Sequence, residues 1–374
     1  MKANRTTNSI NKASATVVDG NFSLPEARYP RIMAAGADYN DLQQVIQRCS
    51  GGRESWPAVW EELASKHEAL GDAALRDGLT ITAGEAFVRA ALYYHTAQVI
   101  VADDVNLKVR MQHLQQAAYL KGAPYLSPPT QVVHIPYKGQ TFPGYLRLPL
   151  LEERPAACVI LLAGLDSTKE EFHTLENEFL KRGMATFSFD GPGQSLTRER
   201  LPLEPTIEGS VGAILDVLTR RVDLDSERFG VWGRSFGGHM APRAAAYDKR
   251  LKACVSVGGF YTLPVDQFPE PVLHELTLVT ASKNTEETRK KAAKFTLAGL
   301  MPKISCPMLV VHSQPDSVCS YKNAERMVAE AGDNAELVLY PDGNHVCDNI
   351  AYKSRPLMAD WLARKLGLSS SYLV

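Results

Sequence analysis

The chain has 374 residues, more than one ordinary domain needs, which predicts a full-sized core domain with an accessory one. Its 45% apolar and 22% charged residues are those of a globular protein rather than a disordered one. A net charge of −1 gives no reason to expect a nucleic-acid or anionic-membrane partner. The polar start, MKANRTTNSINKAS, lacks the apolar stretch of a secretion signal, and no run approaches the roughly 18 apolar residues of a membrane span. A cytoplasmic protein is expected. Cys49, Cys158, Cys254, Cys306, Cys319 and Cys347 form no CxxC pair and read as reduced thiols rather than a disulfide framework.

In chain order, residues 1–20 read as a flexible tail and residues 21–126 as a helical N-terminal cap domain. Trp56, Trp60, Leu63 and His67 recur at helical spacing, as do Ala83, Phe87, Ala90, Ala91 and Tyr94, with Thr82 and Glu85 expected to form a capping box. Proline and glycine at 122–129 end the helical pattern. Residues 127–374 then read as an α/β core. A hairpin over 131–148 is followed by apolar runs at Cys158–Leu162, Ala185–Phe189, Phe229–Trp232, Cys254–Val257, Met308–Val311 and Leu337–Tyr340. Helices are expected at about 169–182, 207–221, 236–247, 322–331 and 355–366. Buried strands alternating with helices predict a doubly wound, mostly parallel sheet. A lid-like insertion at about 260–301, with a polar helix around 285–300, is expected to help roof the site.

The stretch Gly233-Arg234-Ser235-Phe236-Gly237 is a GxSxG match between an expected strand and an expected helix, the context of a nucleophile elbow. A serine needs a base oriented by an acid, and in α/β hydrolases these follow it in the order acid, then histidine. Asp316, after the run 308–311, and His345, after the run 337–340, fill those positions. Asp342 is the second choice of acid. The backbone N–H of Phe236 and that of Leu165, in the loop after 158–162, are the candidate oxyanion donors, with Asp166 the neighbouring alternative to Leu165. Gly164, Asp166, Asp266, His274 and His239 are candidate substrate contacts. His312 reads as packed or bonded to backbone, and His67, His95, His113 and His134 as core or surface residues. The turn Asp190-Gly-Pro-Gly-Gln194 shapes the floor below the elbow and has no phosphate-binding spacing.

Together GLDSTKEEF at 164–172, FDGPGQ at 189–194, GRSFGG at 233–238, DGNHVCDN at 342–349 and the helical stretch TAGEAFVRAALYYHTAQ resemble one α/β-hydrolase group. That group includes 2,6-dihydroxypseudooxynicotine hydrolase of nicotine breakdown, fungal hydrolases that shorten polyketide pigment precursors, and the fermentation-respiration switch protein. The resemblance spans nearly the whole chain beyond residue 20. It implies an α/β-hydrolase fold with a helical cap and a Ser235–Asp316–His345 triad, with Leu165 in the oxyanion loop. It also implies cleavage of a C–C bond beside a ketone, or of an ester, in a secondary or aromatic metabolite. An additional carboxylate near the site is implied as well, with Asp266 and Glu270 the nearest candidates. Two positions depart from the group: Ala163 replaces proline or histidine, and Ser195 stands where glycine is usual.

The expected partner is a small-molecule substrate, with no metal or organic cofactor, nucleic acid or membrane, and the helical module is also a candidate homodimer surface. Two rival readings are an acyltransferase or cyclase acting on a polyketide-like acyl group, and a non-catalytic small-molecule receptor on the same fold.

Overall fold

The computed structural model describes residues 26–52, 54–101, 104–150, 155–268 and 270–368, so the expected tail at 1–20 lies outside the described residues. Five helices come first: α1 (Tyr29–Ala34), α2 (Tyr39–Cys49), α3 (Trp56–Arg76), α4 (Thr80–Gln98) and α5 (Val105–Gly122). Short polar side chains start three of them by occupying free N–H groups of the first turn. Asp38 accepts from Asn40 and Asp41, Ser55 from Ala58, and Asp104 from Leu107. The helical spacing of Trp56, Trp60 and Leu63 does put all three inside, where Trp60 meets Tyr93 edge-on at 4.8 Å. The capping box expected at Thr82 is not made. Helix α4 begins three residues earlier, after Leu79, with no side-chain cap.

The rest of the chain builds an eight-stranded sheet. Its strands are β1 (Thr130–Tyr137), β2 (Gln140–Arg147), β3 (Ala156–Leu162), β4 (Ala185–Phe189), β5 (Leu224–Arg234), β6 (Leu251–Val257), β7 (Met308–Ser313) and β8 (Ala335–Tyr340), in the order β1-β2-β4-β3-β5-β6-β7-β8. β1 and β2 pair antiparallel, as does β2 with β4, and every other neighbour is parallel. Every residue of β3 and β4 is buried, because parallel strands are covered on both faces. The covering helices are α6 (His173–Leu180), α7 (Glu208–Leu218), α8 (Phe236–Tyr247), α11 (Lys322–Ala331) and α12 (Ala351–Lys365). Between β6 and β7 come α9 (Glu270–Val279) and α10 (Thr285–Ala292). This is the expected fold: an α/β-hydrolase sheet with a helical N-terminal region.

Two differences from the sequence reading matter for the site. The helix expected over 169–182 begins as a 3-10 turn at Lys169–Phe172, and Lys169, Glu170 and Glu171 in that turn are buried. The insertion holds an additional helix, α9, and the polar helix α10 stops at Ala292 rather than near 300.

The sheet order also locates the functional edge. From β3 the chain crosses to β4 on one side and later returns to β5 on the other. The carboxyl ends of β3 and β5 therefore flank the switch point, where α/β proteins bind ligands. Leu162 pairs with Gly233, so the loops leaving the two strands emerge side by side.

Candidate active site

Ser235 stands between β5 and α8 with φ 56° and ψ −116°, a left-handed conformation that costs a non-glycine residue energy. Its own N–H donates to Val257 O at 2.8 Å, which ties the turn to β6. The flanking glycines are required by contact distance. A Cβ at Gly233 would lie 2.0 Å from Gly237 O, and one at Gly237 would lie 2.0 Å from Leu162 O. Strand and helix can approach this closely only without side chains, and the result lifts the serine hydroxyl above the sheet edge.

Ser235 Oγ lies 2.9 Å from His345 Nε2, and His345 Nδ1 lies 2.8 Å from Asp316 Oδ2. Because a carboxylate can only accept, Nδ1 carries the proton and Nε2 is left to accept from the serine. Asp316 follows β7. Its Oδ1 accepts from the N–H groups of Val318 and Cys319, each at 2.8 Å. Burial alone would raise the Asp316 pKa, but hydrogen bonds from His312, His345 and the Cys319 N–H outweigh it and hold the carboxyl below its usual range. Asp342 is instead exposed and sits 3.3 Å from Lys353 Nζ. Of the two candidate acids, the structure brings Asp316 to the histidine.

His345 is held by strained backbone. Val346 and Cys347 both have positive φ, 56° and 59°, and Gly258, at φ 57°, leaves room for this backbone: a Cβ there would lie 3.0 Å from Val346 Cγ1 and 3.3 Å from Val346 N.

The model of the family described as "Esterase FrsA-like" matches residues 31–367. The chain belongs to the FrsA-like esterase family. It is an α/β hydrolase and an enzyme. The 2,6-dihydropseudooxynicotine hydrolase of Paenarthrobacter nicotinovorans is 34% identical over 335 residues, covering 89% of this chain and 90% of that protein. The crystal structure of the 2,6-dihydroxy-pseudo-oxynicotine hydrolase resembles this fold with a TM-score of 0.85 at 32% identity, over 91% of this chain and 96% of that one. The α/β hydrolase psoB of Aspergillus fumigatus is 37% identical over 229 residues, a match covering 56% of this chain and 51% of the fungal protein. No helix among the described residues is long and apolar enough to cross a membrane.

The other site residues of this FrsA-like chain divide clearly. Gly164 lies against the serine, since a Cβ built on it would sit 3.5 Å from Ser235 Cβ. Leu165, half-buried, packs on the core beside it. Gln194 fixes this loop by donating through Nε2 to Ala163 O at 3.2 Å and Gly164 O at 3.0 Å, while its Oε1 accepts from Gly191 N–H at 2.9 Å. Sequence reasoning credited the 190–194 turn with shaping the floor but missed Gln194 as the brace of the neighbouring loop. Ser195 has φ 44°, which explains in steric terms why glycine is usual at that position.

The other four candidate substrate contacts have these settings. Asp166 is held by Arg28 Nη1 at 2.8 Å and Arg31 Nη1 at 3.0 Å, so both its oxygens are engaged. His239 is fully buried, stacked on Phe260 at 4.4 Å with Nδ1 donating to Phe260 O at 3.1 Å, and it supports the elbow helix from inside. Asp266 is exposed and paired with Arg289, and Glu270 is exposed too. His274 lies exposed on α9.

His312, expected to be packed or bonded to backbone, is fully buried, and its Nε2 donates to Cys319 O at 2.8 Å while lying 3.4 Å from Asp316 Oδ2. It therefore orients the acid. No short sequence signal could have shown this, because the contact depends on how the 313–319 loop folds back.

Proposed function

We propose that the chain is a serine hydrolase in which Ser235 is the nucleophile, His345 the general base and Asp316 the orienting acid. The observation that carries this reading is the continuous hydrogen-bonded line Ser235 Oγ–His345 Nε2, His345 Nδ1–Asp316 Oδ2, at 2.9 and 2.8 Å, on a strained strand-to-helix turn. His345 takes the hydroxyl proton as Oγ attacks a substrate carbonyl, and Asp316 stabilises the imidazolium that forms. The oxyanion is received by the N–H of Phe236, at the free N-terminus of α8, and by that of Leu165. Losing one such donor typically raises the barrier by about 2.7–4 kcal/mol.

The tetrahedral adduct then collapses. For an ester, the C–O bond breaks and His345 returns its proton to the leaving alkoxide. For a ketone, the C–C bond breaks, and the leaving carbon must carry its electron pair as an enolate or electron-rich aryl ring while His345 protonates it. Water, deprotonated by His345, hydrolyses the acyl-enzyme and restores Ser235. The likeness to the pseudooxynicotine hydrolase supports C–C cleavage beside a ketone in an aromatic or secondary metabolite. The match to the esterase family supports ester cleavage.

The test is a screen of 1,3-diketones and aryl ketones against simple esters, with Ser235→Ala as the blank. Turnover of any member by the wild type and its loss in the variant, with an unchanged circular dichroism spectrum, is the expected result. Equal turnover by the variant contradicts the assignment.

A further inference from the structure

We infer that the cleft between the cap helices and the loop carrying Leu165 is a substrate subsite for an anionic oxygen with a neighbouring hydroxyl, read by Arg198 and Gln112. The inference rests on the serine-hydrolase reading and names the substrate class. The cleft is narrow, with a cavity volume of about 10 Å³ behind an open mouth, and its walls include Lys108, Gln112, Leu165, Ser195, Arg198 and Glu275. These side chains come from α5, the loops after β3 and β4, and α9, so the cap and the insertion both contribute. Leu165 follows Gly164, on which a Cβ would sit 3.5 Å from Ser235 Cβ, so the cleft lies one residue along the loop from the nucleophile turn without being lined by Ser235 or His345.

Two polar atoms of this wall are buried with no hydrogen-bond partner: Arg198 Nη2 and Gln112 Oε1. Gln112 is 5% exposed and the Arg198 side chain 8%. Buried polar groups are nearly always satisfied, so two orphans on one wall, a donor and an acceptor, call for a ligand that completes both.

The charges give its sign. Lys108 Nζ is paired with Glu275 Oε2 at 2.5 Å, whereas Arg198 Nη1 is 3.8 Å from Glu275 Oε1, too far for a hydrogen bond. Asp166, which also borders the cleft, is already neutralised by Arg28 and Arg31. Glu275 therefore serves two cations and hydrogen-bonds only Lys108, which leaves the Arg198 guanidinium free to take an oxyanion. A guanidinium recognises a carboxylate or similar oxyanion most strongly. Gln112 Oε1 accepts from an O–H beside it. A site built from such groups discriminates sharply against ligands that lack them, because its own polar atoms are then left unpaired.

The test measures calorimetric binding to the full-length Ser235→Ala protein, which separates binding from turnover. The probes are 4-oxo-4-phenylbutanoate, its 2-hydroxy derivative and the neutral butyrophenone. The carboxylate should bind at least about tenfold more tightly than butyrophenone, and the hydroxyl should add to that preference. Arg198→Met in the same background should bring the carboxylate-to-neutral ratio close to one. Arg198→Lys, which keeps the charge, should retain part of it, and Gln112→Met should remove the gain from the hydroxyl alone. Equal affinity for carboxylate and neutral probes, or a preference that survives Arg198→Met, overturns the subsite. Should Arg198→Met fail to fold, the lysine and Gln112 variants still decide it. Fluorophosphonate labelling of Ser235 in the wild type is read separately, so failure of the subsite and failure of the serine-hydrolase reading are distinguishable.

Discussion

Arg234, the residue immediately before Ser235, donates through Nη2 to Glu171 Oε1 at 3.0 Å, reaching from the elbow to the loop after β3. Arg31 of α1 donates to the same carboxylate through Nε at 2.5 Å and Nη2 at 2.7 Å. Arg234 Nη1 lies 3.8 Å from Asp348, three residues past His345, and Arg355 lies 3.3 Å from the same aspartate. A buried ionic network thus joins the cap, the loop of Leu165, the nucleophile turn and the histidine loop. Burial opposes charge on Glu171, but Arg234, Arg31 and His95 overcome it and hold its pKa well below the usual carboxylate range.

Glu171→Gln keeps the shape but leaves two buried guanidiniums without their shared counter-charge. Removing one partner of a buried pair typically costs about 3–5 kcal/mol, which is the expected loss in urea unfolding. A loss too small to measure would show that the network is not holding the cap to the core.

Asp316→Asn leaves the packing intact but offers His345 a donor where it needs an acceptor, which favours the wrong tautomer. kcat should fall by about 10⁴. Asp342→Asn, at an exposed site beside Lys353, should change kcat by no more than a few-fold. The reverse ranking in steady-state assays would transfer the role of acid to Asp342.

These assignments were legible in the sequence to different degrees, for a physical reason. The elbow is local: five consecutive residues set its geometry, and Gly233 and Gly237 declare the close approach. Strands such as β3 are also visible, because full burial leaves an unbroken apolar run. The turn Lys169–Phe172 was not legible. Three consecutive charged residues look like a solvated helix face. They are buried because Lys169 meets Asp190, Glu170 meets Tyr145, and Glu171 meets Arg31 some 140 residues earlier in the chain. The misplaced capping box has a similar origin. Helix α4 is fixed by burial of Ala83, Phe87 and Ala90 rather than by its first turn.

Gly258→Ala adds a methyl at φ 57°, 3.0 Å from Val346 Cγ1 and 3.5 Å from the His345 ring. Overpacking and backbone strain together should cost about 1–3 kcal/mol of stability. Because the methyl crowds Val346, the residue after His345, kcat should fall more than the stability loss explains. Full activity at temperatures where the variant stays folded would contradict this placement.

His239 supplies a pH signature. Burial lowers its pKa to about 3, only partly offset by its bond to Phe260 O. In the unfolded chain the value returns to about 6.5. Between those values the unfolded state binds a proton that the folded state refuses, so stability rises with pH and falls as pH drops below 6.5. His239→Gln removes that titration. Urea midpoints measured from pH 7 to 4.5 should decline more steeply in the wild type than in the variant, and parallel declines would exclude the histidine as the cause.

The most direct test of the central claim is peptide-mapped labelling by a fluorophosphonate. One adduct is expected, on Ser235, formed at least about a hundredfold more slowly in His345→Ala because the hydroxyl then has no base. An adduct on another residue, or equally fast labelling of Ser235 without the imidazole, would contradict it.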